Sequence, residues 1–345
     1  MKRIIAAALG VILVGGSLSA CSTRTYGEPD VLRLVSSNAI WNEVALAVSQ
    51  GHVYGGLSLL DNPNIDPHEF EPSARQRLMV QQADIAIYTG TDYDSFMKQL
   101  LDAADFESDR IVTAGQPDDH WFNVKTWKRD TSNPHVWFSV SAVKKTTDRL
   151  TATYTRLSPS AKTDFEDANK RFTKQLDQIA YREGQIRTAR ATRDISYLKK
   201  APIDYNKLPV RFCPMNGCSN SFFFAPEGLG SYLLEDAGWG DGTPKSIIDK
   251  VANGVELSAR EMLDAKQLLA RGTVQIFAAN VQVATPQLLE LQKFAAAHGV
   301  TVMKFSETEM VPGSQSQDMK HAHLPYGYVD GMNYYLKQLA ALVAK

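Results

Sequence analysis

VLRLVSSNAIWNEVALAVSQGHVYGGLSLL, residues 31–60, sets the fold class. Val31 to Val35 is a compact apolar run and reads as a strand. Ile40 to Val48 has the spacing of an amphipathic helix, and Val53 to Leu60 reads as a second strand. The same grammar continues outward. Pro72 to Gln82 has helical spacing, Ile85 to Tyr88 is a short buried strand ending at Gly90, and Ile111-Val112 begins another. Strands and helices alternating at this spacing predict βαβ units and a parallel sheet.

A different texture begins near Val140. From Ser160 to about Arg190 there is no proline and one glycine, Gly184. Phe165, Ala168, Phe172, Leu176, Ile179 and Ile186 recur at three, four or seven residues, one face of a long helix started by Ser158-Pro159. Leu198 to Gly217 reads as loop. Alternation then resumes, with strands at Phe222–Phe224, Val274–Ala278 and Val300–Phe305. Helices are expected at Tyr232–Ala237, Leu263–Ala270, Pro286–Ala297 and from Tyr328 to Ala344. The expected architecture is α/β: two lobes with mainly parallel sheets, residues 31–157 and 193–345, joined by one long helix over 158–192, with a ligand cleft between them.

The N-terminal 30 residues lie outside that plan. Lys2 and Arg3 precede an apolar segment, Ile4 to Val14, that falls short of the roughly 20 residues a spanning helix needs. Leu18-Ser19-Ala20-Cys21 follows. Small residues before a cysteine resemble a bacterial lipobox, so residues 1–20 read as a signal peptide and Cys21 as the lipid-bearing residue, with a polar tether to about residue 30. Two or more acyl chains there anchor firmly, where one would hold only marginally. The formal net charge is −1, which gives nucleic acid no electrostatic footprint. Cys213 and Cys218 are the other two cysteines, and in an exported chain they read as a local disulfide.

Three segments carry chemistry. Asp66-Pro67-His68-Glu69-Phe70-Glu71-Pro72-Ser73 fixes a histidine between two prolines, just ahead of a helix start. Asn133-Pro134-His135-Val136-Trp137 again places a histidine directly after proline. Pro226-Glu227-Gly228 puts a carboxylate at the carboxyl end of a strand, the edge where open α/β sheets bind ligands. Each alone reads as an ordinary residue of its loop or helix start; only their combination carries weight.

That combination resembles the zinc- and manganese-binding solute-binding lipoproteins of ABC transporters, the cluster A-I family, over essentially the whole mature chain. The resemblance assigns His68 and His135 as two metal ligands, from Asp-Pro-His-x-x-Glu-Pro-Ser and Asn-Pro-His-x-Trp. Gln82 to Gly90 is similar to the family's Ala-Asp stretch ending in glycine. It implies Glu227 as the third ligand, in a segment where Tyr232 and Gly238 also match. The fourth falls on Glu307, in Lys304-Phe305-Ser306-Glu307-Thr308, with Glu309 as competitor. It further implies an extracytoplasmic monomer that takes up manganese(II) or zinc(II), is held to the membrane by its lipid anchor, and delivers to an ABC permease without being an enzyme. Closure about one long helix should be small.

Two imidazoles and two carboxylates cancel the charge of a divalent ion. Carboxylate oxygens suit manganese and imidazole suits zinc, so glutamate in place of a third histidine tilts the site toward manganese without excluding zinc. A His-rich loop found in many zinc-binding members is missing; only Asp118-Asp119-His120 occupies its place. His120, His321 and His323 read as loop residues, and Trp121, Trp127 and Trp137 as packing. A metallohydrolase would need an open coordination position and a spare base, and no His-Glu-x-x-His pair occurs. An adhesin role for a surface lipoprotein is compatible with the same sequence.

Overall fold

The computed structural model describes residues 31–60, 62, 65, 67, 70–90, 93–116, 133–201, 221–311 and 327–345. His68, His120, His321, His323 and the three cysteines lie outside these residues.

The first lobe holds β1 (Leu32–Asn38), α1 (Ala39–Ala47), β2 (Val53–Leu60), α2 (Ala74–Gln82), β3 (Ile85–Tyr88), α3 (Ser95–Ala103) and β4 (Ile111–Thr113). Its strands pair in parallel in the order β2-β1-β3-β4. β1 runs on to Asn38, whose side chain accepts the Trp41 N–H at 3.0 Å and caps α1 in the same residue that ends the strand. Pro72, expected as the helix start, precedes the true one: Ser73 and Gln76 form a reciprocal capping box that begins α2 at Ala74.

Two helices follow. α4 (Val140–Leu157) packs against α5 (Lys162–Thr192), a 31-residue helix about 46 Å long. The expected apolar face of α5 is buried at Phe165, Ala168, Phe172, Leu176, Ile179 and Ile186. Its first turns lie on the first lobe, where Phe165 packs on Tyr154 and His52 meets Asp164 at 2.8 Å. Its last turns lie on the second, where the Arg190 guanidinium covers the Trp239 ring at 3.6 Å.

The second lobe repeats the first topology. It contains β5 (Phe222–Phe224), α6 (Ser231–Asp236), β6 (Gly240–Asp241), α7 (Lys245–Ala252), α8 (Ala259–Ala270), β7 (Val274–Asn280), α9 (Pro286–Ala297) and β8 (Thr301–Phe305). Its sheet is parallel in the order β6-β5-β7-β8. A Ser258–Glu261 capping box starts α8 four residues before the apolar periodicity becomes visible. β7 runs two residues past the expected end, to Asn280, because its main chain pairs with β8 as far as Phe305.

α10 (Tyr328–Val343) closes the described chain and belongs to neither lobe alone. Tyr335 packs on Phe138 of the first lobe and Phe305 of the second, and Tyr328 Oη donates to the Trp137 carbonyl at 2.8 Å. One apolar core therefore runs through the facing sides of both sheets, α5 and α10, with a smaller core on the outer side of each sheet. Among the described residues no helix is long and apolar enough to cross a membrane.

Candidate metal centre

Both sheets reverse strand order beside their first strand, and in the second lobe the crevice opens between β5 and β7. Glu227 follows β5, Asn280 ends β7 and Glu307 follows β8. The site thus assembles at the carboxyl edge and switch point of an open sheet. One ligand atom each from His135, Glu227 and Glu307 lies within 4.8 Å of the others, and all three residues are buried. A buried imidazole and two buried carboxylates at that spacing are the donors a divalent cation compensates.

His135 is held by the residue two before it. Asn133 Nδ2 donates to the Gly228 carbonyl at 2.9 Å, which orients Oδ1 as the acceptor. Oδ1 lies 2.8 Å from His135 Nδ1 and 3.1 Å from its main-chain nitrogen. The ring therefore carries its proton on Nδ1, leaving a lone pair on Nε2 that could bind a metal, the arrangement in which an outer hydrogen bond orients a metal histidine. Tyr93 and Trp137 pack on the ring edge-to-face, at 6.0 and 5.3 Å between centroids.

Glu227 sits in a tight turn in which the Gly228 N–H donates to the Ala225 carbonyl at 3.0 Å. Gly228 has φ +78°, and a Cβ there would stand 3.1 Å from Asn133 Nδ2. Glycine is needed at that position both for the backbone and for the approach of the other lobe.

Glu307 stands in an irregular turn clamped by Gln282. The Glu307 N–H donates to Gln282 Oε1 at 3.1 Å, while Gln282 Nε2 donates to Ser306 Oγ and Thr308 Oγ1 at 3.0 and 3.1 Å. From the first lobe, Tyr93 Oη and Asn38 Nδ2 donate to the Glu307 carbonyl at 3.2 and 3.5 Å. Burial, reinforced by the Glu307 and Asp94 carboxylates, pushes the Tyr93 hydroxyl well above its usual range, so it stays a donor. Beside it, burial lifts the Asp94 carboxyl to about 6 against hydrogen bonds from Ser37, Thr89 and Gly90.

The side chain of Asn280 joins the two carboxylates: Nδ2 donates to Glu227 Oε2 and to Glu307 Oε1, and Oδ1 accepts the Gln282 N–H at 2.9 Å. Asn280, Gln282 and Tyr93 carried no role in the sequence. A polar residue at the carboxyl end of a central strand was the available signal for Asn280, hidden because apolar character stops at Ala279. Glu309, the competitor of Glu307, lies close enough to Glu43 to help push that carboxyl up, and the group of three that converges contains Glu307.

The family model described as "Zinc-uptake complex component A periplasmic" (ZnuA) matches residues 34–195. The zinc-binding lipoprotein AdcA of Streptococcus pneumoniae is 28% identical over 145 residues, covering 37% of this chain and 28% of that protein. The manganese-binding lipoprotein MntA of Bacillus subtilis is 22% identical over 172 residues, covering 49% of this chain and 55% of that protein. The chain thus spans about a quarter and about half of these two relatives. The solved structure of the periplasmic zinc-binding protein TroA from Treponema pallidum superposes with a TM-score of 0.63 at 15% identity, covering 91% of this chain and all of that one. The fold is therefore that of these binding proteins. Over residues 34–195 this chain is thus similar to the family of zinc-uptake component A, and its fold is shared with the solved structure of TroA.

Proposed function

We propose that this protein captures a divalent transition metal, manganese(II) or zinc(II), outside the cytoplasm and delivers it to an ABC permease. The ligands are His68 and His135 from residues 31–157 and Glu227 and Glu307 from residues 193–345. One observation carries the reading: an imidazole with its tautomer fixed and two carboxylates, all buried, converge within 4.8 Å from three separate elements. Nothing in a structural core requires that expensive grouping, whereas a bound cation compensates it. The related proteins named for zinc and manganese binding support the cargo.

Each lobe contributes two ligands, so metal binding cross-links the lobes. α5 and α10 both bridge them, which keeps the accompanying motion small. With four ligands committed to the metal, the site has no spare general base, and the protein acts by binding rather than by catalysis. Residues 1–20 direct export, Cys21 carries the lipid anchor, Cys213 and Cys218 pair, and the protein works as a monomer.

The deciding experiment loads the purified protein with equimolar manganese and zinc, desalts it and measures metal content. One equivalent of either metal, lost in His135→Ala and Glu227→Ala and retained in His120→Ala, is the expected result. No metal, or metal kept by both ligand variants, would sink the assignment. Radiolabelled fatty acid incorporated by the wild type and not by Cys21→Ala tests the anchor.

A further inference from the structure

We infer that Asn280 sets the metal preference of this site by confining Glu227 and Glu307 to one coordinating oxygen each. The inference rests on the reading of His135, Glu227 and Glu307 as ligands and goes on to name the class of ion they select.

The amide orientation is determined by its surroundings. Oδ1 accepts the Gln282 N–H at 2.9 Å, so the NH2 group is the end that faces the carboxylates. Its two hydrogens reach one oxygen of each, Oε2 of Glu227 and Oε1 of Glu307. Gln282 also grips the turn that carries Glu307, so Asn280 and Glu307 are registered to the same residue.

This arrangement does two things. Without a cation it offsets the repulsion between two buried carboxylates and keeps them at metal-binding separation. With a cation it leaves Oε1 of Glu227 and Oε2 of Glu307 for the metal. To chelate through both oxygens, either carboxylate has to rotate out of its hydrogen bond to Asn280. One oxygen from each carboxylate beside the His135 imidazole keeps the ligand count low, which suits zinc; manganese favours about six oxygen-rich positions. The glutamates alone would tilt the site toward manganese, and Asn280 turns it back toward ions content with four ligands. A recess lined by Pro226, Glu227, Leu229, Ala279, Asn280 and Leu288 adjoins the bridge.

The test compares the purified wild type with Asn280→Leu, of similar size without donors, and Asn280→Ser, too short to span both carboxylates. Zinc and manganese affinities come from competition with a chromophoric chelator, and zinc coordination number from X-ray absorption. Expected are four-coordinate zinc in the wild type, and in either folded variant five or more ligands with a zinc-over-manganese preference lower by at least about tenfold. An unchanged preference and coordination number overturn the inference, as does a coordination number that falls by one, since the amide would then itself be a ligand. A wild type that binds neither metal overturns the ligand assignment and this inference with it. Wild-type binding with unaltered variants removes the role of Asn280 alone.

Discussion

Asn133 and Gly228 are joined across the cleft by a 2.9 Å hydrogen bond from Nδ2 to the main-chain carbonyl, one residue beyond Glu227. The same carboxamide fixes the protonation of His135, and Tyr232 Oη donates to the Asn133 carbonyl at 2.9 Å. One side chain therefore orients His135, a proposed ligand of the first lobe, and docks that lobe against the turn carrying Glu227, its proposed counterpart in the second.

Asn133→Ala should weaken metal binding by about 10–100-fold while the protein remains folded, the usual consequence of losing an outer-shell partner of a metal histidine. Isothermal titration with zinc, alongside circular dichroism of the apo protein, checks both halves. Unchanged affinity would show that neither the tautomer nor the cross-lobe bond matters.

Glu307 and Glu309 should separate cleanly. Glu307→Gln removes a charged donor from the cluster and should cost more affinity than Asn133→Ala. Glu309→Gln, placed beside Glu43, should leave affinity unchanged. Parallel chelator competitions on the two variants decide the matter, and equal losses would contradict the placement of these two side chains.

Glu43 should make apo-protein stability depend on pH. Burial, with Glu309 and Asp330 nearby, pushes its carboxyl from 4.5 up to about 8. Between those values the native state keeps a proton that the unfolded chain has released. The stability tied to this group is whole below about 4.5 and is lost as pH rises toward 8. Glu43→Gln, which cannot ionise, should raise Tm at about pH 8.5 and change it little at about pH 4.5, with roughly 2–4 °C for each kcal/mol recovered. Thermal melts at the two pH values read this directly; an equal shift at both would mean that ionisation of Glu43 is not the cause.

Gly331 lets α10 approach the turn after β8. A Cβ there would meet the Met310 Cβ at 2.4 Å, too close for either backbone to ignore. Gly331→Ala should destabilise by roughly 1–3 kcal/mol through overpacking. Because Met310 lies three residues from Glu307, metal affinity should fall as well. Denaturant melts and zinc titration on one preparation test the pair, and a variant with native stability would show that the helix can withdraw at no cost.

Local sequence determined a good deal. Apolar runs and helical spacing located β2 and β3 to the residue and the buried face of α5 position by position, because strand and helix periodicity are properties of contiguous residues. The motifs around His135 and Glu227 marked these two as candidates through the resemblance they carry, not through either residue alone. Element ends were less legible. α2 and α8 begin where a serine caps reciprocally with a residue three further on, and β7 ends where its partner strand ends rather than where its apolar run does.

What only the tertiary structure decided depends on groups far apart in sequence. Glu307 joins the cluster in a turn held by Gln282 and Tyr93, 25 and 214 positions distant. Asn280 reaches two carboxylates 53 and 27 residues away, and its importance arises only where β5, β7 and β8 end side by side. α10 spans both lobes because the apolar surface it covers is created by their meeting. Sequence periodicity encodes which face of an element is apolar; it does not encode which distant polar atoms a buried charge finds, and that second question fixed the details of this site.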